Sequence, residues 1–377
     1  MNETVAVLGN ESSMSSLALL DKYPNVKLES CDELIEVLDY VRSGIGTGFL
    51  PFWNSHVGEV THSKVIDSLD DESSQIVEMW PGRIVFSCIG DLGYKLKESD
   101  SVASVHVAKI QCSEFIAQHN LDFDKCPSTT KAVEKLNNNP DLHIAFCAKE
   151  NVNNALHSLL EEDASNPFNF TSFALLVPTG KTPPSEHKIS LSLVEMPLFT
   201  DNTLDENQHK FFDTVFDVET NHLNDVAKPT FVRSKNSDRI NIIFESDTVA
   251  GQDIISDETD DIEISTKEVG TLKNAYGPLT NKLLSQSFGL NSDTHDFLKH
   301  QGKNTCLFFC PPLGIYIHGF EPEIVETVTK TVIAKHFEKF ARGIDVTDEQ
   351  QCFFDKHYES FQSQSMREFR FLDIRNL

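Results

Sequence analysis

No stretch of the 377 residues comes near the ~18 consecutive apolar residues that a membrane-crossing helix needs. The start lacks the basic end of a secretory leader. Met1-Asn2-Glu3 carries an acid there and runs straight into a strand pattern, so the expectation is a cytoplasmic protein without a signal peptide. Cations are few, with 32 Lys and Arg against 58 Asp and Glu and a net charge of −26. A field of that sign repels nucleic acid and anionic membranes, and neither is an expected partner. It gives an anionic substrate no long-range pull either, although screening over about 8–10 Å leaves room for local donors to bind one. The eight cysteines are scattered, mostly inside apolar runs such as Val85-Phe86-Ser87-Cys88, and read as reduced, buried thiols. Cys306 and Cys310 are the closest pair. They lack a second Cys/His pair at ligand spacing, so no metal site is expected.

What is present is an ordinary globular composition, 39% hydrophobic and 24% charged, in a chain long enough for two or three domains. Val5-Ala6-Val7-Leu8 reads as a short buried strand ending at Gly9, followed by a polar turn and the apolar positions Leu17, Leu19 and Leu20. Ser30 or Asp32 is placed to cap a second helix, whose Leu34, Ile35, Val37, Leu38 and Val41 share a face and which Gly44-Ile45-Gly46 ends. A strand follows at Gly48-Phe49-Leu50-Pro51. Alternating strand and helix patterns continue to about residue 177 and predict a mainly parallel sheet with helices on its faces. A linker is plain at Pro178-Thr179-Gly180-Lys181-Thr182-Pro183-Pro184.

Beyond it the rhythm changes. Ile189, Leu191 and Leu193 alternate with serines, which predicts a half-exposed strand. Asp205 to Val218 predicts a helix, and Phe231-Val232 and Ile240 to Phe244 predict antiparallel strands joined at Ser234-Lys235-Asn236-Ser237. Asp257 to Glu263 is acidic and reads as a solvated loop or insertion. Apolar strands are expected around Cys306–Phe309 and Ile315–Ile317, then an amphipathic helix from Pro322 to Ala341.

Five short stretches, in order, carry a resemblance to a known family. Leu8-Gly9-Asn10-Glu11-Ser12-Ser13-Met14-Ser15 is similar to an L-G-P-E-G-T-F-S loop, and Pro51-Phe52-Trp53-Asn54-Ser55-His56-Val57-Gly58 to P-I-E-N-S-L-E-G. Ser104 to Cys112 is similar to S-H-P-Q-A-L-A-Q-C, Ser128-Thr129-Thr130-Lys131-Ala132 to S-T-A-E-A, and Asn166-Pro167-Phe168-Asn169-Phe170-Thr171-Ser172-Phe173 to N-P-N-N-V-T-R-F. These are the motifs of prephenate dehydratase. The resemblance implies an α/β catalytic domain of two lobes, similar to periplasmic binding proteins, over residues 1–177. It implies loss of water and carbon dioxide from prephenate, a dicarboxylate, with no metal or organic cofactor, in the pathway to phenylalanine. Thr171 then takes the role of proton donor. Ser13, Asn54, Ser55, Ser128, Thr129 and Ser172 line the substrate, where free N–H groups at helix starts also favour anions. The plainer role for these Ser and Thr residues is helix capping, and the two roles can coexist.

The chain departs from the pattern at Ser172, which stands for the arginine, at Trp53, which stands for the glutamate, and at Ser12, which stands for a glycine. Glu11 keeps the family's acid. His56 and His106 stand where the family has no histidine; each is either an acid or base, or an ordinary surface or supporting residue. Residues 178–187 are expected to form a linker, and 188–254 an α+β region resembling the ACT module, the β-α-β-β-α-β unit that binds phenylalanine in this family. Only Arg233 of its E-S-R-P motif survives, so a dimerisation role is favoured and a homodimer or higher homo-oligomer expected. Residues 255–377 either complete that module or add to it. Three readings of function stand: a dehydratase first, then a non-aromatising prephenate decarboxylase or a lyase for a prephenate-like compound, then a catalytically inactive binding or scaffold protein.

Overall fold

The computed structural model describes residues 4–60, 64–153, 155–181, 189–198, 206–216, 228–234, 238–247, 264–290, 296–302, 305–362 and 371–373. The chain divides into two compact units, Met1–Val65 with Gly82–Pro178, and Ile66–Pro81 with Thr179–Leu377. Among the described residues no helix is long and apolar enough to cross a membrane.

The first unit begins with β1 (Thr4–Leu8), α1 (Met14–Lys22), β2 (Lys27–Cys31), α2 (Leu34–Arg42), β3 (Thr47–Asn54) and β4 (Gly58–Glu59). The chain then leaves this unit for α3 (Val65–Asp70) and most of β5 (Ser74–Arg83). It returns through β6 (Ser87–Asp91), β7 (Ser101–Val105), α4 (Ala108–Gln111), α5 (Ser113–Gln118), β8 (Asp122–Cys126), α6 (Thr129–Asn138), β9 (Ile144–Cys147), β10 (His157–Glu161) and β11 (Phe170–Pro178).

These strands form two sheets and hence two lobes. In the first lobe β1 is parallel to β2 and β3, and β11 lies antiparallel to β3, with β4 off β3. In the second the order is β10-β6-β9-β7-β8, with β7 parallel to β8 and β9 and with β6 and β10 antiparallel. The sheets are therefore mixed rather than mainly parallel, because the chain that crosses between the lobes comes back against its neighbours. Helix α2 buries Val37, Leu38 and Val41. It sits directly on β3, where a Cβ on Gly48 would come within 2.6 Å of the Val41 side chain. Its cap is neither Ser30 nor Asp32. Ser30 is in β2, opposite Val7, and Glu33 caps the helix in a capping box with Glu36.

The second unit contains β12 (Ile189–Pro197), α7 (Glu206–Phe216), β13 (Lys228–Ser234), β14 (Arg239–Asp247), β15 (Ser265–Leu272), α8 (Tyr276–Phe288), β16 (Leu298–Gln301), β17 (Cys306–Cys310), β18 (Ile315–Gly319), α9 (Pro322–Ala341), α10 (Asp348–Gln362) and β19 (Leu372–Asp373). Antiparallel pairings give the order β15-β12-β14-β13. Strand β18 joins β13 in parallel and extends the sheet through β17 and β16 to β19. Strand β5 bridges β15 at Ile76 and Gly270, where a Cβ on Gly270 would lie 2.1 Å from the Ile76 carbonyl oxygen; only glycine fits. Strand β12 is not half-exposed. It is central, paired on both edges, and residues of both faces are buried, with Ser190 and Ser192 3% and 5% exposed. Val194 and Met196 enter a core with Phe212, Phe216, Phe244 and Phe337. The expected helix over 205–218 is described over Glu206–Phe216. Residues 182–187 of the linker, Phe199 to Asn202, the turn residues 235–237 and the acidic run 257–263 lie outside the described residues.

Glu245 is buried on β14, and both its carboxylate oxygens accept the Tyr276 backbone N–H at the start of α8, at 2.9 and 3.1 Å. Burial pushes its carboxyl up from 4.5 to about 7, against the opposing pull of the Tyr276 N–H and Lys228. The folded protein thus holds a proton that the unfolded chain releases. The stabilisation is complete below 4.5 and is lost as pH rises through about 7. The loss is about 3 kcal/mol. The urea midpoint of Glu245→Gln is expected to fall less than the parent's between about pH 5 and about pH 8; equal falls would remove Glu245 as the source.

Candidate active site

The motif residues gather at one end of the first lobe. Strand β1 ends at Leu8 and the turn Gly9 to Ser13 follows it. Asn54 ends β3, which runs parallel to β1, and Thr171, the second residue of β11, lies opposite Asn54. The C-terminal edge of parallel strands is where open α/β sheets bind ligands. In the second lobe His106 follows β7, and Ser128 and Thr129 follow β8, again at the C-terminal ends of parallel strands. The turn after β9 reaches across, with Asn151 Nδ2 donating to the Ser12 carbonyl at 3.1 Å, so the two edges meet at that point.

The asparagine-serine motif and the threonine motif interlock. The Ser55 hydroxyl donates to the Phe168 carbonyl at 2.6 Å and accepts the Phe170 N–H at 3.1 Å. His56 Nε2 donates to the Pro167 carbonyl at 2.8 Å; since a carbonyl only accepts, that nitrogen carries a proton. Asn54 Oδ1 accepts the N–H groups of His56 and Val57 at 2.9 and 3.0 Å, which fixes the sense of its amide. Its Nδ2 then faces three acceptors, Asn169 Oδ1 at 3.0 Å, the Phe170 carbonyl at 2.9 Å and Thr171 Oγ1 at 3.0 Å. Thr171 is 5% exposed. Because Asn54 fills a lone pair of its oxygen, the Thr171 proton is left pointing elsewhere, and no acceptor among the described residues takes it.

The other expected residues divide by burial and by what their hydroxyls touch. Ser13 caps α1, accepting the Ser16 N–H at 3.2 Å while donating to the Leu8 carbonyl at 2.7 Å. Ser128 caps α6 by accepting the Lys131 N–H at 3.2 Å, and Thr129, the first residue of that helix, is buried. Glu11 and His106 are exposed. Trp53 and Ser172 are opposite each other in the β3–β11 register, both fully buried, with the Trp53 ring 5.7 Å from that of Phe170.

Two asparagines outside the expected set belong to this constellation. The lobes are joined by two chain segments, 82–87 and 162–170, held side by side. Arg83 pairs with Asp163 at 2.7 Å, the Ala164 N–H donates to the Phe86 carbonyl at 2.7 Å, and the Ile84 N–H to the Asn169 carbonyl at 3.0 Å. Asn166 ties the returning segment to the second lobe, through Ile110, Ser113 and Glu114. Asn169 ties it to Asn54 of the first. The sequence signal was the pair of asparagines three apart in Asn166-Pro167-Phe168-Asn169. Between them Phe168 sits at φ +60°, a left-handed conformation that asparagine adopts at lower cost than phenylalanine. Phe168→Asn is expected to be more stable than Phe168→Ala by about 0.5–1 kcal/mol, since both lose the ring and only asparagine suits the backbone. Thermal unfolding of the two variants checks it.

The family model for prephenate dehydratase matches residues 5–180. Over that segment, just under half of the chain, the protein is similar to the prephenate dehydratase family. No curated protein sequence matches the chain. Among solved structures, the prephenate dehydratase of Arthrobacter aurescens in complex with L-Phe is 18% identical, with a TM-score of 0.56 over 76% of this chain and 97% of that one. The prephenate dehydratase of Staphylococcus aureus subsp. aureus Mu50 is 16% identical, with a TM-score of 0.52 over 71% and 99%. GqqA, described as a novel type of quorum quenching acylase, is 17% identical, with a TM-score of 0.54 over 72% and 98%. At such identities the likeness is one of fold. It reaches beyond the segment that the family model matches, since these shares exceed what residues 5–180 alone supply. A fold that serves a dehydratase and an acylase does not choose between activities, so the side chains of the site must carry the argument.

Proposed function

We propose that this domain is a lyase that converts prephenate to phenylpyruvate, carbon dioxide and water. The observation that carries the reading is the hydrogen bond from Asn54 Nδ2 to Thr171 Oγ1 at 3.0 Å. In the reaction the bond from the ring to its carboxylate breaks, and its electron pair enters the ring. The bond to the ring hydroxyl breaks at the far side, and the departing oxygen takes the Thr171 proton to leave as water. A proton from solvent restores Thr171. Aromatisation drives the step, so the protein must orient and protonate. A threonine hydroxyl is a weak acid. An N–H aimed at its oxygen stabilises the charge that develops as the proton leaves, and does so most strongly where water is excluded.

In this reading the N–H groups at the starts of α1 and α6, with Ser13, Ser128 and Thr129, receive the two carboxylates, and Ser55 holds the loop that presents Thr171. Residues 188–254, completed by β15, are read as the ACT-like module. The strand order β15-β12-β14-β13, with α7 between β12 and β13, is consistent with a β-α-β-β-α-β sandwich. The test is incubation of the protein with prephenate, followed by ultraviolet absorbance and mass analysis. Phenylpyruvate supports the dehydratase. Loss of carbon dioxide alone would assign the decarboxylase, and unchanged prephenate would refute both.

A further inference from the structure

Asn169 belongs to two hydrogen-bonded systems at once. On one side it is locked to the outgoing segment by a reciprocal pair: the Ile84 N–H donates to its carbonyl at 3.0 Å, and its Nδ2 donates to the Ile84 carbonyl at 3.2 Å. On the other its Oδ1 accepts from Asn54 Nδ2 at 3.0 Å. It is 2% exposed, so neither system is diluted by water. Asn54 cannot flip without losing the two backbone N–H groups on its Oδ1. Its two Nδ2 hydrogens serve three acceptors, and Asn169 Oδ1 belongs to the side chain that is also bonded to Ile84 on the outgoing segment. A shift of residue 84 against residue 169 moves Asn169, and Asn169 moves the hydrogen aimed at Thr171.

We propose that Asn169 is a positioning residue for the Thr171 proton donor, linking the junction between the lobes to the reacting hydroxyl through Asn54. The inference rests on the dehydratase reading. A plain strut at this place would set stability and leave turnover of the folded protein alone. A positioning residue sets turnover itself.

Two substitutions separate these roles. Asn169→Ala removes both side-chain bonds, to the Ile84 carbonyl and from Asn54, and leaves only the backbone bond from the Ile84 N–H. Misplacement of a catalytic group by about 1 Å can cost ~100-fold, so kcat per folded molecule is expected to fall ~10–100-fold with KM changed less than ~3-fold. Asn169→Asp keeps the bond from Asn54 in either state but restores the bond to the Ile84 carbonyl only when protonated, for then its O–H can donate there while its C=O accepts from Asn54. Ionised, it has no donor left. Burial raises the pKa of such a carboxyl. The kcat of Asn169→Asp is therefore expected to approach the parent's at low pH and to fall through a new ionisation that parent and Asn169→Ala both lack.

The experiment is steady-state turnover of prephenate across pH by the parent, Thr171→Val, Asn169→Ala and Asn169→Asp, each with its folded fraction measured by circular dichroism. The expected split between kcat and KM, together with the new ionisation, supports the assignment. Parent-like kcat in Asn169→Ala, or no new ionisation in Asn169→Asp, overturns it while the dehydratase reading stands. An inert parent, or full activity in Thr171→Val, defeats that reading first and this inference with it.

Discussion

Valine in place of Thr171 is expected to stop the release of water from prephenate and to leave the domain folded. The exchange keeps the β-branched shape that suits the start of β11 and deletes only the hydroxyl. It strands no donor, because the Asn54 amide still faces Asn169 Oδ1 and the Phe170 carbonyl. Loss of a positioned general acid costs typically 10²–10⁴-fold, and kcat is expected to fall by about that factor. Thr171→Ser keeps an O–H within reach of Asn54 and is expected to stay within ~10-fold of the parent. Steady-state assay with circular dichroism on the same samples decides the matter. A valine variant that keeps more than about a tenth of the parent's kcat would mean that another group, or water, delivers the proton.

The same geometry explains what the sequence revealed and what it hid. Short strands with no polar residue, such as Val5-Ala6-Val7, and the one-faced Val37, Leu38 and Val41 declare themselves by pattern, since burial on both faces or on one stripe leaves a trace in composition. Strand β2, Lys27-Leu28-Glu29-Ser30-Cys31, does not. Among the described residues it pairs with β1 alone, and it is largely solvated, so it needs no apolar alternation. Ser190 and Ser192 misled in the opposite direction, for small hydroxyls can enter a covered sheet without an apolar signature.

At the candidate site, Thr171 and Asn54 stand out in the sequence because the resembled motifs contain them. Their contact does not, since the two residues are 117 positions apart and meet only through the antiparallel return of β11 onto β3. Asn169 escaped for a related reason. Its partners Ile84 and Asn54 lie on two other segments, and nothing local in Asn166-Pro167-Phe168-Asn169 records them. Nor does sequence say how a hydroxyl is spent. Ser13 and Ser55 look like free donors until the Leu8, Phe168 and Phe170 backbone groups are seen to engage them.

The departures at residues 53 and 172 look independent in the sequence, 119 positions apart, and are a single site in the fold. Trp53 and Ser172 face each other across the β3–β11 pairing with no exposed surface. The resembled family carries glutamate and arginine at these two places. Charges of opposite sign there would stand at directly opposed positions, where Cβ atoms are about 4.5–5.5 Å apart. Trp53→Glu alone leaves a buried carboxylate unpaired and removes the ring packed on Phe170. Ser172→Arg alone forces a guanidinium against the indole. Each is expected to destabilise by about 3–5 kcal/mol. The double variant is expected to lose less than the sum by about 1–3 kcal/mol, because each new charge then meets its partner. Urea unfolding of the parent, the two single variants and the double variant measures that coupling directly, and additive losses would show that the two positions changed independently. A coupled exchange has a consequence for the chemistry. If the losses couple, an arginine neutralised by the glutamate across the sheet would offer a substrate carboxylate little, exchange of both for a neutral pair would leave the charge of the site as it was, and the dehydratase reading would not need the guanidinium.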